Sequence, residues 1–272
     1  MKIIGERCNG MFLDIREAIQ KKDPKALIEW TKLQEEKGAD WIDLNAGPAC
    51  ANEAERVEAM KWMVSVVKDV TKLPLALDST NYDAIEEGLK LIDDERQRRD
   101  SLINSVPAEQ EKMDRVFPMA AEYGCKVVCL TMTEKGVPQE ADSRVALAME
   151  LIANADAYGV PSDDLYIDPL ILPCNVAQFH CPEVLKALAQ IKTLADPAPH
   201  TVLGLSNVSQ KSPDRSLLNR TYMAMGSAVG LDSVIADPCD EELMKVAAST
   251  EVLLNQKIYA DSYVKVFCEK NL

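Results

Sequence analysis

Histidine is nearly missing from this chain. His180 and His200 are the only two in 272 residues, which leaves imidazole general-base chemistry and zinc chemistry poorly provided for. The eight cysteines do not make up the deficit. No two stand as Cys-x-x-Cys, and Cys125 and Cys129 fall along a run that reads as a strand, where four residues of rise hold them about 13 Å apart. Reduced, mostly buried thiols and no bound metal are the expectation. Cationic side chains are also scarce: 30 Lys and Arg face 44 Asp and Glu, a formal charge of -14. Nucleic-acid binding needs clustered Lys and Arg to neutralise phosphates, so it is excluded as a function class. Long apolar runs are absent too, which argues against a membrane span, and a strand-like segment at residues 2–5 leaves no room for a signal peptide. The expected location is cytoplasmic. With 47% hydrophobic and 27% charged residues and no linker, residues 1–272 read as one domain.

One shape recurs along the whole chain. Lys2-Ile-Ile-Gly-Glu6, Trp41-Ile-Asp-Leu-Asn45, Leu75-Ala-Leu-Asp78, Leu102-Ile-Asn104, Val127-Val-Cys-Leu-Thr131, Leu165-Tyr-Ile-Asp-Pro-Leu170, Val202-Leu-Gly-Leu-Ser-Asn-Val-Ser209 and Ser233-Val-Ile-Ala-Asp237 are eight short apolar runs that stop at a polar group. Each is too short for a helix, and most are separated by a segment of helical periodicity. Eight such units in this length predict an α/β fold, a (β/α)₈ TIM barrel, whose active site lies at the C-terminal ends of its strands. Glu6, Asn45, Asp78, Asn104, Asp168, Asn207 and Asp237 then form the floor of one pocket.

The intervening segments carry scaffold signals. Asp23-Pro24 opens a helix that runs past Trp30 and Leu33 to a stop at Lys37-Gly38. Pro182 begins another, over residues 183–194, with an apolar stripe at Val184, Leu185, Leu188 and Ile191. The mixed charge run at 93–100 reads as a solvated helix end or loop on the side away from the pocket. Tyr222-Met-Ala-Met-Gly226 reads as flexible apolar packing against the barrel.

A pocket rich in Asp and Asn suits a flat heteroaromatic ligand with alternating donors and acceptors. A pterin edge presents N–H, NH₂ and C=O groups side by side; a carboxylate at Asp78 or Asp168 accepts from it, and the Asn104 amide both donates and accepts. Strand-end Asp and Asn also cap helices, and Asp78 before Ser79-Thr80-Asn81 is a good capping candidate.

Ile4-Gly-Glu-Arg-Cys-Asn-Gly-Met-Phe12, Leu44-Asn-Ala-Gly-Pro48, Leu77-Asp-Ser-Thr-Asn81, Tyr166-Ile-Asp-Pro-Leu-Ile-Leu-Pro-Cys-Asn-Val-Ala-Gln178, and Leu203-Gly-Leu-Ser-Asn-Val-Ser-Gln210 with Asn219-Arg220-Thr221 resemble the pterin-binding methyltetrahydrofolate:corrinoid methyltransferases. The resemblance runs to Asp261-Ser-Tyr-Val-Lys265. It implies a folate-dependent barrel that exchanges a methyl group between N5 of tetrahydrofolate (5-methyltetrahydrofolate as donor) and the cobalt of a corrinoid, a cobalamin-type cofactor carried by a separate protein. It further implies that Asp78, Asn104 and Asp168 hold the pterin, that Asn207 sits beside N5, and that Gly204, Ser206, Gln210 and Arg215 line the mouth. Arg215 would suit the glutamate tail or the partner. One departure stands out: Asn104-Ser105 is followed by Val106-Pro107 where the family usually has Thr, after an apparent insertion at 93–100.

Methyl transfer from a tertiary amine needs a hydrogen-bond donor that strengthens as the N–C bond breaks, and the Asn207 amide supplies one without a permanent charge. The same donor serves either direction of transfer. The corrinoid itself has no seat here, since Gln178-Phe-His-Cys-Pro-Glu183 lacks the flanks of an Asp-x-His-x-x-Gly motif. The implied partner is a corrinoid/iron-sulfur protein or a small corrinoid protein, meeting an open barrel mouth through a transient interface, and the family suggests a homodimer. Three rivals stand beside this reading. Dihydropteroate synthase would carry a lysine on strand seven and an Arg-His pair on strand eight, where this chain has Leu203 to Asn207 and Ile235-Ala-Asp-Pro238. A Schiff-base aldolase would need a lysine at a strand end, and none of the runs ends in one. A non-catalytic folate-binding protein would keep Asp78, Asn104 and Asp168 but would not need Asn207.

Overall fold

The eight apolar runs all become strands, and the strands close on themselves. A computed structural model describes residues 1–259; the stretch 261–265 named above lies outside the described residues. In chain order the elements are β1 (Lys2–Gly5), α1 (Leu13–Lys21), α2 (Lys25–Glu36), β2 (Trp41–Asn45), α3 (Glu53–Val67), β3 (Leu75–Asp78), α4 (Tyr82–Lys90), α5 (Glu95–Asp100), β4 (Leu102–Pro107) and α6 (Gln110–Tyr123). They continue as β5 (Lys126–Leu130), α7 (Ala141–Ala157), β6 (Leu165–Asp168), α8 (Cys174–Ala177), α9 (His180–Ile191), β7 (His200–Gly204), α10 (Arg215–Ser227), β8 (Ser233–Ala236) and α11 (Glu241–Leu253). All strand pairs are parallel, and β1 pairs with β8 to complete a (β/α)₈ barrel.

Parallel strands covered on both faces read as nearly unbroken apolar runs, and period-two alternation divides them between two cores. Inside the barrel, Ile4, Trp41, Ala76, Leu102, Val128, Tyr166 and Val202 form a buried plug, with Leu130 and Ile235 packed against it. Between sheet and helices, the alternate residues Ile42, Leu44, Leu75, Leu77, Ile103 and Val127 meet α3, α4 and α6 through Met60, Met63, Ile85, Leu89 and Phe117. A third cluster seats α9, α10 and α11 on β7 and β8 through Leu188, Met223, Leu243, Leu203 and Val234.

Several local readings are corrected. The first loop holds a helix, α1, that precedes the expected one. The helix expected to begin at Pro182 begins at His180, which puts the proline in the first turn, where a missing N–H goes unused. The charge run at 93–100 forms α5, capped by Asp94, whose Gln97 turns inward to donate to the carbonyls of Thr71 and Leu73 on the side away from the strand ends. Of the seven described cysteines, all free, only Cys8, Cys125 and Cys129 are buried; Cys50, Cys174, Cys181 and Cys239 are partly exposed, so "mostly buried" does not hold.

Candidate functional site

Stepping two residues on from each plug residue leads to the next layer up the barrel, and there the chemistry changes. Ile4 leads to Glu6, Trp41 to Asp43, Ala76 to Asp78, Leu102 to Asn104, Val128 to Leu130, Tyr166 to Asp168, Val202 to Gly204 and Ile235 to Asp237. The result is a ring with five carboxylates, one amide, one leucine and one glycine above a dry apolar floor. Strand register sets Asp78 beside Asn45 on β2 and beside Asn104 on β4.

The hydrogen bonds tie the ring together. Asn104 Nδ2 donates to Asp43 Oδ1 at 3.2 Å, Asn45 Nδ2 to Asp78 Oδ2 at 2.7 Å, and Ser206 Oγ to Glu6 Oε1 at 2.8 Å. Asn45 Oδ1 accepts from the Gly47 N–H, which fixes the amide that orients Asp78. The capping role considered for Asp78 falls to Asn81 instead, whose Oδ1 accepts from the N–H groups of Asp83 and Ala84 at the start of α4. That leaves Asp78 in the barrel. Asn104 lies just before a register shift between Asn104 and Val106 in β4, the place where the sequence departs from the family pattern, and its side chain still enters the ring.

Asp43 was absent from the sequence-based set of site residues. It is 1% exposed and faces Asn104, with Asp78 and Glu6 close enough to act on its charge. Its signal was available: Trp41-x-Asp43-x-Asn45 places three inward positions on β2, and the strand-end rule selected only the last.

Burying this much acid without a cation in the ring has an electrostatic cost. Desolvation pushes Asp168 up to about 7, against hydrogen bonds from the Leu170 and Gly204 N–H groups and the Arg144 charge. Burial raises Glu6 to about 7, reinforced by Asp237 and offset by Ser206, Arg215 and Arg7. It raises Asp78 to about 6 despite the Asn45 bond. Asp43 rises well above the usual carboxylate range through burial and then Asp78. Arg7 moderates Glu6 from outside, its guanidinium held 3.7 Å and 3.9 Å from the ring centres of Phe12 and Trp30. At neutral pH the ring therefore retains protons, and a ligand bringing N–H donors would favour the ionised forms.

A stability consequence follows for Asp43. A carboxyl whose pKa is raised by folding costs nothing while protonated in both states, and the cost grows as pH climbs above its ordinary value toward the raised one. Asp43→Asn keeps an acceptor for Asn104 and removes that cost. Its melting temperature is expected to exceed wild type by roughly 2–4 °C at pH 8, the shift about 1 kcal/mol makes in a domain near this size. The difference should vanish near pH 4; a pH-independent difference in thermal melts would refute the assignment.

The loop after β7 closes one side of the mouth. Gly204 ends the strand and a single 3₁₀ turn follows over Leu205–Asn207. A Cβ on Gly204 would stand 3.0 Å from Asn207 Nδ2, so glycine gives the amide its place over the strand end. Asn207 and Gln210 are exposed at the rim, while Ser206 turns down to Glu6. Arg215, expected to suit a ligand tail or partner, donates from Nε to Ser209 Oγ at 3.2 Å and from Nη2 to the Ser206 carbonyl at 3.0 Å, and so braces this loop. All eight sequence-predicted site residues thus lie at the C-terminal end of the barrel: Asp78, Asn104 and Asp168 in the ring with Gly204, and Ser206, Asn207, Gln210 and Arg215 on the adjoining loop and helix start.

Two other concavities lie on the flanks. One of about 760 Å³ is lined by Lys37, Asp40, Glu241 and Lys257, and one of about 480 Å³ by Cys174, Leu185, Leu218 and Met225. Neither contains a ring residue. Among the described residues no group of three or more His, Cys, Asp or Glu side chains is arranged to hold a metal ion, and no helix is long and apolar enough to cross a membrane.

Comparison with known proteins places this geometry in context. The family described as pterin binding enzyme matches residues 13–237. The methylcorrinoid:tetrahydrofolate methyltransferase of Eubacterium limosum is 29% identical over 271 residues, covering 98% of this chain and 96% of that protein. The methionine synthases of Mycobacterium leprae and Mycobacterium tuberculosis are 29% identical over 248 residues; the match takes in 86% of this chain and 20% of each of theirs. Among solved structures, the dihydropteroate synthase of Yersinia pestis superposes with a TM-score of 0.70 at 17% identity, over 94% of both chains. That of Thermus thermophilus gives 0.67 at 17% identity, again over 94% of both. At such identity the likeness speaks for the fold alone.

Proposed function

Because the chain belongs to the pterin binding enzyme family, we propose that its carboxylate ring binds the pterin of tetrahydrofolate and that it transfers a methyl group between N5 and the cobalt of a corrinoid carried by another protein. The observation that carries this reading is the Asn207 amide, exposed at the rim above a ring of buried acids. Asp78 and Asp168 accept from the N–H and NH₂ edge of the pterin, and Asn104 pairs with its mixed donor and acceptor side. Asn207 Nδ2 donates a hydrogen bond to N5 that strengthens as charge develops there, while the proton N5 gains on losing the methyl group comes from solvent and returns to it in the reverse direction. The full-length match to a methylcorrinoid:tetrahydrofolate methyltransferase points the same way.

Dihydropteroate synthase chemistry fits less well. The end of β7 offers Gly204 rather than a lysine, and the end of β8 offers Asp237-Pro238 rather than an Arg-His pair. The corrinoid belongs to the partner, because neither histidine is free to meet cobalt at the mouth. His180 is buried with Nδ1 2.5 Å from Arg144 Nη2. His200 starts β7 at the far end of the barrel, its ring stacked 4.8 Å from Tyr166. When delivered, the corrinoid supplies a cobalt that takes or gives the methyl group; the residues of this chain hold the folate and donate to N5.

The test is spectroscopic. Mixed with Co(I) cobalamin and 5-methyltetrahydrofolate, the purified chain is expected to convert the Co(I) spectrum to that of methyl-Co(III), and to run the reverse with methylcobalamin and tetrahydrofolate. Folate binding without exchange in either direction would leave a non-catalytic folate-binding protein. No folate binding would defeat the reading of the ring itself.

A further inference from the structure

The Arg144 side chain is wholly buried, yet among the described residues no carboxylate bonds to it. From the first turn of α7 its Nε donates to the Pro169 carbonyl at 2.7 Å, its Nη1 to the Gln139 carbonyl at 2.7 Å, and its Nη2 meets His180 Nδ1 at 2.5 Å. A guanidinium has only donors, so Nδ1 of His180 must be the acceptor and the imidazole is neutral with its proton on Nε2. The surrounding ionisable groups are Asp168 on β6, Glu183 on α9 and Tyr222 on α10, all felt at longer range.

The peptide unit between Pro169 and Leu170 explains why this matters. Its carbonyl accepts from Arg144, while its N–H donates to Asp168 Oδ1 at 2.7 Å. One rigid plane therefore joins the buried guanidinium to the carboxylate. Leu170 holds φ at 61°, a left-handed conformation that is unfavourable for a non-glycine residue and needs an outside constraint to persist. Thr131 secures the other side of Asp168, donating from its backbone N–H to the Asp168 carbonyl at 3.0 Å.

We propose that Arg144 and His180 are positioning residues for Asp168, locking the 169–170 peptide so that the carboxylate stands ready for the pterin edge. His180 keeps the guanidinium aimed, and Arg144 sets the peptide plane. The proposal rests on the reading of Asp168 as a pterin acceptor.

A double-mutant cycle tests it, with tetrahydrofolate affinity of the full chain as the readout. Arg144→Met is expected to weaken binding about tenfold in the native background, in line with a charge-assisted bond acting at one remove. In an Asp168→Ala background it should add less than about twofold. His180→Leu should behave like Arg144→Met, whereas His180→Asn, whose amide oxygen can take the place of Nδ1, should restore affinity to within about threefold of wild type. Additive losses, or His180→Asn no better than His180→Leu, would overturn the clamp. Nitrogen NMR of the wild-type imidazoles reads the His180 tautomer directly, without relying on a change at Arg144 or His180. With only two histidines, His200→Gln assigns the spectrum, and a protonated Nδ1 on His180 at neutral pH would also overturn it. A wild-type chain that fails to bind folate defeats both the pocket reading and this inference; a wild type that binds with additive losses defeats this inference alone.

Discussion

Asn207→Ala is expected to slow methyl transfer by about 10²- to 10³-fold while tetrahydrofolate affinity falls far less, the range seen when one preorganised donor is removed. The asymmetry comes from when the bond matters. In the resting complex N5 is a neutral amine and the Asn207 amide, exposed at the end of a 3₁₀ turn, exchanges one hydrogen-bond partner for another at little gain. As the N–C bond breaks, negative charge grows on nitrogen and a fixed donor gains strength with it. The fixing is local: Gly204 leaves room beside Nδ2, Arg215 holds the Ser206 carbonyl, and Ser206 holds Glu6. Single-turnover kinetics with enzyme in excess separate the chemical step from partner docking. Equal losses in binding and rate, with the bound step untouched, would reduce Asn207 to an ordinary contact. Rate and affinity both unchanged would remove the proposed donor altogether.

Strand positions and barrel closure were legible because parallel strands demand short, nearly continuous apolar runs, and little else in a globular chain looks like Val127-Val-Cys-Leu or Ser233-Val-Ile-Ala. The polar ends were legible as a set: any one strand-end carboxylate or amide could cap the next helix, but so many on one face of the barrel point to a pocket. Four features were not legible. Asp43 hides within β2 because a strand-end rule stops at Asn45, and only the plug residue Trp41 two positions earlier reveals that both side chains share the inner face. The choice between Asp78 and Asn81 as the cap of α4 depends on where the helix starts, and the structure starts it at Tyr82. Helix α1 was unread because Phe12 makes no side-chain cap and no start signal precedes it. The Arg144 clamp lay beyond reach of pattern reasoning altogether: it joins α7, the loop after β6 and α9, residues up to 36 apart in sequence with no periodicity linking them.

Asp168→Ala is expected to cost about 1.5–3 kcal/mol in tetrahydrofolate affinity, roughly 10- to 150-fold, with the fold intact. The carboxylate sits at the end of β6, 5% exposed, over an apolar plug and, among the described residues, without direct contact to a cation, so its bonds to a ligand are made in a place where water competes poorly. The same burial makes the interaction sensitive to pH. In the free chain desolvation holds Asp168 up to about 7, so part of the population carries a proton at neutral pH. Donors on the pterin edge favour the ionised form, which means binding must expel that proton below about pH 7 and affinity must fall as pH drops through this value. Above it the carboxylate is already charged and affinity levels off. Asp78, held at about 6, titrates lower and should steepen the decline at more acidic pH. Asp168→Asn separates charge from shape: it retains the side-chain oxygen but cannot titrate, so it should bind weakly at pH 8 and lose the step near 7, leaving only the more acidic one. Calorimetry in buffers of different ionisation enthalpy reads the expelled protons directly. Unchanged affinity in a folded Asp168→Ala chain would move the pterin out of the ring, and wild-type binding with neither proton release nor a step near pH 7 would mean that Asp168 meets the ligand already charged, or does not meet it.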